Sequence, residues 1–378
     1  MRTFRTKGDP QLERSAALGR SLGLSRRQVM AAAAAGLAVP ALATATASPA
    51  MARPLVVPRK RGIILYSVRD AVSRDPLASD LPSGFREVLG ELSRIGYQQI
   101  EFAGFRQNAN AEGGADMGTV AGATLLRRWL DENGLDAQGN HGSVPSTVTP
   151  ETTAAFETTL DVAETLGLEH VGTGSDPTRS RYRQDWDAAA EVWQHWGAMA
   201  KARGMKLYTH NHQQAYNFLL DAGPLDEAGL PTRSSGTRML EYFLQITDPT
   251  LVYLELDVFW AHVAQHAFPT YTAEDGTPVR KVFDPAALVV ANRSRYPLFH
   301  AKDGDDTGEA EGVGNGYTIV PFGLGDIDYS TFFSRIGSQL RGGDLNAMWE
   351  QDTAPSATAP AQSLELARLS YRNLARLR

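Results

Sequence analysis

Six short apolar runs in this chain of 378 residues end in side chains that bind metals or move protons. The endings are Ile100-Glu101-Phe102, Asn140-His141-Gly142 and His210-Asn211-His212, then Glu255-Leu256-Asp257, His300-Ala301-Lys302-Asp303 and Glu350-Gln351-Asp352. Side chains alternate faces along an extended segment, so His210 shares a side with His212, and Glu255 with Asp257. Taken singly, each has a plain structural reading. A histidine at a strand end often hydrogen-bonds at a rim, and a buried carboxylate often pairs with an arginine. Their joint occurrence on the last four runs favours a shared divalent cation, because unpaired burial of so many polar groups is unfavourable. The chain has no cysteine, so His, Asp and Glu must supply the ligands. That donor set suits Mn, Mg, Co or Zn. His170, His195, His262 and His266 lie off the pattern, and His195, between Trp193 and Trp196, reads as structural.

The elements that must carry these residues alternate regularly. Strands are predicted at 62–66, 99–102, 136–141, 169–172, 206–210, 252–257, 298–302 and 346–350. Helices are predicted near 83–95, 119–133, 151–166, 185–203, 235–247, 284–295, 329–340 and 361–377. Gly96, Gly134, Gly167 and Gly204 follow helical runs, where a left-handed residue ends a helix. Strict alternation calls for a parallel sheet covered by helices. Eight pairs in one domain fit a closed (β/α)8 barrel, whose active face lies at the C-terminal strand ends. An open doubly wound sheet should carry a Gly-rich loop after its first strand, but Ser67-Val68-Arg69-Asp70 stands there. The polar, Pro- and Gly-bearing stretches 213–234 and 267–283 read as long loops over that face.

Composition narrows the function. Residues 1–52 carry seven Lys/Arg against Asp9 and Glu13, and the overall charge of −6 then leaves −11 on the remainder. A body that acidic, without a basic stripe, excludes nucleic acid as the main ligand. Arg26-Arg27 precedes the mildly apolar run from Ala31 to Leu42, and Ala50-Met51-Ala52 follows as an A-x-A cleavage pattern. This is the form of a twin-arginine (Tat) export signal. The run is short for a membrane span and is interrupted by Pro40. The reading is therefore a signal at 1–52, a linker at 53–61 and a barrel at 62–378. The product would be periplasmic or extracellular, with no stable membrane association.

Several motifs, in order, resemble the xylose isomerase-like TIM barrels of the sugar phosphate isomerase/epimerase type. They are Gly62-Ile63-Ile64-Leu65-Tyr66-Ser67-Val68-Arg69, Gly96-Tyr97-Gln98-Gln99-Ile100-Glu101, His210-Asn211-His212 and Leu254-Glu255-Leu256-Asp257-Val258-Phe259-Trp260. His300-Ala301-Lys302-Asp303, Gly323-Leu324-Gly325-Asp326-Ile327-Asp328-Tyr329 and Trp349-Glu350-Gln351-Asp352 complete the set. In metal-dependent epimerases of this group, strands 5 to 8 supply Glu, Asp, His and Glu as ligands. The resemblance assigns Asp257, His300 and Glu350 to the last three positions and puts His210 where the first glutamate stands. His212 would be a substitute ligand or a substrate contact. The implied activity is a metal-dependent isomerase or epimerase on a sugar or keto-sugar, working by proton abstraction α to a carbonyl. Catalysis would fall to Glu350, His212 and Lys302, and substrate contact to Glu101, His141 and Trp260. Tyr66, Phe102, Tyr208 and Phe259 are further aromatics for stacking on a sugar or packing the core. The loss of one of two carboxylates suits a lyase or dehydratase on a keto-sugar or 3-keto-glycoside equally well. An exported carbohydrate-binding protein without turnover is a third reading, against which the full ligand set argues. A DNA-repair endonuclease would need a basic groove.

Overall fold

A computed structural model describes residues 53–308, 316–337 and 345–378. The twin-arginine segment and the end of the helix expected at 329–340 lie outside the described residues. Eight parallel strands form one sheet: β1 (Arg61–Ile64), β2 (Gln99–Phe102), β3 (Asp136–Asn140), β4 (His170–Thr173), β5 (Lys206–His210), β6 (Val252–Asp257), β7 (Leu298–Ala301) and β8 (Ala347–Trp349). Their order is β3-β2-β1-β8-β7-β6-β5-β4. A single parallel bridge, His141 to Gly172, joins β3 to β4 and nearly closes the ring. The (β/α)8 barrel expected from the alternation is the fold. Five strand ranges differ from expectation by a residue or two at an end, and β2, β5 and β6 match throughout.

Helices follow the strands: α1 (Gly84–Ile95), α2 (Val120–Glu132), α3 (Pro150–Leu166), α4 (Arg183–Ala202), α5 (Met239–Ile246), α6 (Val258–Ala267), α7 (Pro285–Ala291), α8 (Tyr329–Gly337) and α9 (Gln362–Arg376). Gly96 (φ 119°) and Gly167 (φ 73°) close α1 and α3 in the left-handed region, which lets the chain turn into the next strand. Helix α3 opens on a reciprocal cap between Thr149 and Thr152 with Pro150 at its first position. Segment 53–61, expected as a linker, belongs to the barrel. Val56 is fully buried, the Leu55 amide donates to Leu377 O, and Arg61 opens β1.

Helix α6 was not expected. It starts directly from β6, with Asp257 Oδ1 accepting the Trp260 amide at 2.9 Å as its N-cap. The Val258-Phe259-Trp260 start favours strands locally, and the cap together with burial of Phe259, Trp260 and Val263 overrides that preference. Helix α7 stops earlier than expected, and the buried Arg295 beyond it donates to Val252 O, Leu244 O and Thr247. The long loops fold into two hairpins, Ala222–Leu225 with Pro231–Arg233 and Thr270–Thr272 with Pro278–Arg280. The Ser234 amide donates to Thr272 O and ties them together.

The join between β4 and β5 depends on one small residue. A Cβ on Gly172 would sit 2.0 Å from Tyr208 O and 2.6 Å from Tyr208 Cδ1. Backbone in a paired strand has little room to yield. Gly172→Ala is therefore expected to destabilise the barrel by about 3 kcal/mol, read as a lower denaturant midpoint at unchanged slope. A midpoint equal to that of the unsubstituted protein would show that β5 moves freely.

Candidate active site

The C-terminal strand ends open into a cleft of about 370 Å³. His141, His210, His212, Lys302, Glu350 and Asp352 all line it, with Tyr66 at the rim. Strand register sets who meets whom: His210 is paired across the sheet with Glu255, and His300 with Asp257. The polar groups fall into two connected layers.

In the inner layer, Glu255 is surrounded by imidazoles. Its Oε2 lies 2.8 Å from His141 Nε2 and 3.2 Å from His210 Nδ1, and its Oε1 lies 3.1 Å from His300 Nε2. Glu101 accepts from the Tyr208 hydroxyl and lies 2.7 Å from His300 Nε2. Both carboxylates are fully buried. Burial pushes the Glu101 carboxyl up, and the nearby Glu255 adds to the shift. Burial would raise Glu255 too, but His300, His141 and His210 outweigh it and hold this carboxyl well below its usual range.

The outer layer adjoins the cleft, which His210 and Glu350 line, whereas Asp257 and His300 are fully buried beside them. His210, Asp257, His300 and Glu350 each offer a ligand atom, all within 4.8 Å of one another, and all four residues are buried. His300 Nδ1 lies 2.8 Å from Glu350 Oε2. His210 Nε2 lies 3.7 Å from Asp257 Oδ2, beyond hydrogen-bonding reach. A second grouping within the same 4.8 Å limit, His141, His210, Glu255 and His300, shares two imidazoles with it. Burial lowers His210 well below its usual value, so its ring is neutral at pH 7. Burial also disfavours charge on His300, but Glu255, Glu350 and Glu101 raise it well above the ordinary value.

Lys302 is the fixed cation of the outer layer. Its ammonium lies 3.1 Å from Asp257 Oδ2, 2.6 Å from Glu350 Oε2 and 2.9 Å from Asp352 Oδ2. Burial alone would lower Lys302, but these carboxylates raise it well above its ordinary value, so it is an acid or a cation and not a base. Burial pushes Asp257 up to about 6 against the pull of Lys302. His212, half-buried, is lowered to about 4 by burial and by the Lys302 charge.

The structure thus brings Glu350, Lys302, His212, His141, His210, Asp257 and His300 together at one mouth. Glu101 is enclosed beneath His300 and does not line the cleft. Trp260 backs the site, its ring 5.4 Å from His212 and 5.1 Å from the Lys302 ammonium. Of the aromatics, Tyr66 is exposed at the rim, whereas Phe102, Tyr208 and Phe259 are in the core. Glu255 and Asp352 stand in the strand-end motifs, but the family resemblance assigns neither of them a role. The alternation that put Glu255 beside Asp257 was the signal for the first.

Residues 89–366 match the family described as Xylose isomerase-like TIM barrel. An inosose dehydratase of Clostridium perfringens is 28% identical over 181 residues, covering 45% of this chain. The match spans 49% of that relative, about half its length. Among solved structures, a sugar phosphate isomerase/epimerase from Parabacteroides distasonis superposes with a TM-score of 0.59 at 20% identity, over 89% of this chain and 98% of that one. A D-allulose 3-epimerase from Methylomonas sp. gives 0.50 at 17% identity, over 84% and 97%. With its barrel, its polar mouth and a family match over most of its length, the chain belongs to the xylose isomerase-like TIM barrel family.

Proposed function

We propose that this protein is a metal-dependent isomerase or epimerase of a neutral sugar or keto-sugar, acting by proton abstraction α to a carbonyl. One observation carries the reading: His210, Asp257, His300 and Glu350 converge within 4.8 Å at the cleft. Metal–ligand bonds of about 2.0–2.2 Å hold opposed ligand atoms no more than about 4.4 Å apart, so the set need contract only slightly. Charge supports the same conclusion. Four carboxylates, Glu101, Glu255, Asp257 and Glu350, are buried here. In the metal-free protein Lys302 and the raised imidazoles of His300 and His141 offset only part of that charge, and a bound cation would take the place of the His300 proton. Two imidazoles and two carboxylates suit Zn, Co or Mn better than Mg.

A bound cation would polarise the sugar's carbonyl and hydroxyl oxygens. The remaining work belongs to the chain. Glu350 is the carboxylate placed to take the proton. Lys302, fixed as an ammonium, stabilises the anion that then develops. His212, neutral at pH 7, can pass a proton to the substrate, and His141, which also lines the cleft, can contact it. The substrate class follows from commitments already made. Lys302 is matched by carboxylates, and the Arg69 guanidinium donates to Tyr66 O and Asp352 O. That leaves Lys302 without charge to spare and Arg69 as a single cation with two of its N–H groups engaged, too little for a phosphate clamp, which agrees with the unphosphorylated sugars an exported enzyme would meet.

Elimination on a keto-sugar is the second reading, favoured by His141. Burial disfavours its charged form, but Glu101 and Glu255 outweigh that and raise it, making it a proton donor for a leaving group. Its resemblance to an inosose dehydratase points the same way. A panel of keto-sugars and 3-keto-glycosides in D2O, followed by NMR, tests both. Deuterium at one carbon of an intact sugar is expected for isomerisation, and a released hydroxyl or aglycone with an unsaturated ketone for elimination. Binding of sugars without exchange or product, with the metal site filled, would overturn the catalytic reading in favour of a carbohydrate-binding protein.

A further inference from the structure

Glu255 is fully buried and does not line the cleft, yet three imidazoles turn a ring nitrogen to it. The contact with His210 has a consequence for the ring's other nitrogen. His210 Nδ1 lies 3.2 Å from Glu255 Oε2, and among the described residues no other group hydrogen-bonds to this imidazole. The two residues are register partners on adjacent strands, so backbone pairing fixes their approach. An ionised carboxylate can only accept, so the bonded Nδ1 must carry the hydrogen. Nε2 is then left with its lone pair, 3.7 Å from Asp257 Oδ2 and too far to bond to it. An imidazole in water favours the opposite tautomer, so the surroundings must impose this one. A carboxylate behind a ligating histidine is the usual device for doing so.

We propose that Glu255 is a positioning residue that locks His210 as the Nδ1–H tautomer and so turns the Nε2 lone pair towards Asp257 and the cleft. This rests on the cation reading only for its purpose; the tautomer itself is a property of the metal-free protein. His300 differs in having a carboxylate at each nitrogen, Nε2 facing Glu101 and Glu255 and Nδ1 facing Glu350, so its surroundings fix no single tautomer.

Long-range 1H–15N correlation spectra of metal-free, 15N-histidine-labelled protein report the tautomer of each ring directly, with His210→Gln assigning the signal. The expected result is an Nδ1-protonated His210 in the unsubstituted protein and loss of that signature in Glu255→Gln. Zn2+ affinity, by chelator competition, should fall about 10- to 100-fold in the same variant and recover in part in Glu255→Asp. An Nε2-protonated His210 in the unsubstituted protein would overturn the proposal whether or not any variant folds. So would a tautomer unmoved in a folded Glu255→Gln. If the tautomer shifts as expected but neither protein binds Zn2+, the positioning stands and the cation reading fails.

Discussion

Glu350→Gln is expected to lower turnover of the cognate sugar by about 10³-fold, the range for loss of a general base, while leaving the fold intact. Three features of the site set that expectation. Glu350 lines the cleft, its Oε2 lies 2.6 Å from the Lys302 ammonium, and the same oxygen lies 2.8 Å from His300 Nδ1. Burial would raise this carboxyl, but Lys302 and His300 outweigh it and keep it ionised. Glutamine retains the shape and an accepting oxygen for both neighbours, so near-native circular dichroism and unfolding should accompany the loss. It cannot take a proton. Turnover should therefore be compared at equal metal content, measured by mass spectrometry on the same samples, because glutamine is also a weaker ligand. Unchanged turnover at equal loading would remove Glu350 from the chemistry and shift the proton transfer to His212.

The barrel was legible because short strands with polar ends alternate with amphipathic helices, and β2 to β5 each follow a glycine stop. Ala163 to Gly167 before Leu168, and Leu92 to Gly96 before Tyr97, announce helix, stop and strand without reference to the rest of the chain. Helix α6 was not legible, because its capping signal, Asp257, is also the end of a strand and a candidate ligand. One residue had three readings, and local propensity favoured the strand. The same limit applies to the site. Alternation shows that Glu255 and Asp257 point the same way, but not which lies deeper along the barrel axis. Glu101 and Glu350 look alike in sequence, each an acid at a strand end. In space Glu350 faces the cleft, whereas Glu101 sits enclosed behind His300 and is held by Tyr208. Depth depends on the stagger of the strands, which no local pattern records.

That stagger also concealed the surroundings of Lys302, and its replacement by methionine should have the second large effect. The ammonium is 1% exposed and lies within 3.1 Å of oxygens from Asp257, Glu350 and Asp352. Without it, two buried carboxylates and a half-exposed third face one another across a space filled by thioether. Removing one partner of a buried ion pair costs about 3–5 kcal/mol, so metal-free Lys302→Met should unfold at a clearly lower denaturant concentration. Protonation of Asp257, already raised to about 6 by burial, would relieve part of the repulsion. Lys302 itself lowers Asp257, so without it this carboxyl rises beyond that value, and the stability gap should narrow as pH falls from the alkaline side towards about 6. A divalent cation at the same carboxylates would replace the lost charge, so added Zn2+ or Mn2+ should stabilise the variant more than the unsubstituted protein, where it must contend with the ammonium. Turnover should fall by about 10²–10³-fold even with metal present, as for loss of an oxyanion-stabilising group. Equal unfolding midpoints for the two metal-free proteins at pH 8 would show that Lys302 does not neutralise these carboxylates. The cation balance argued for the whole cleft would then fail with it.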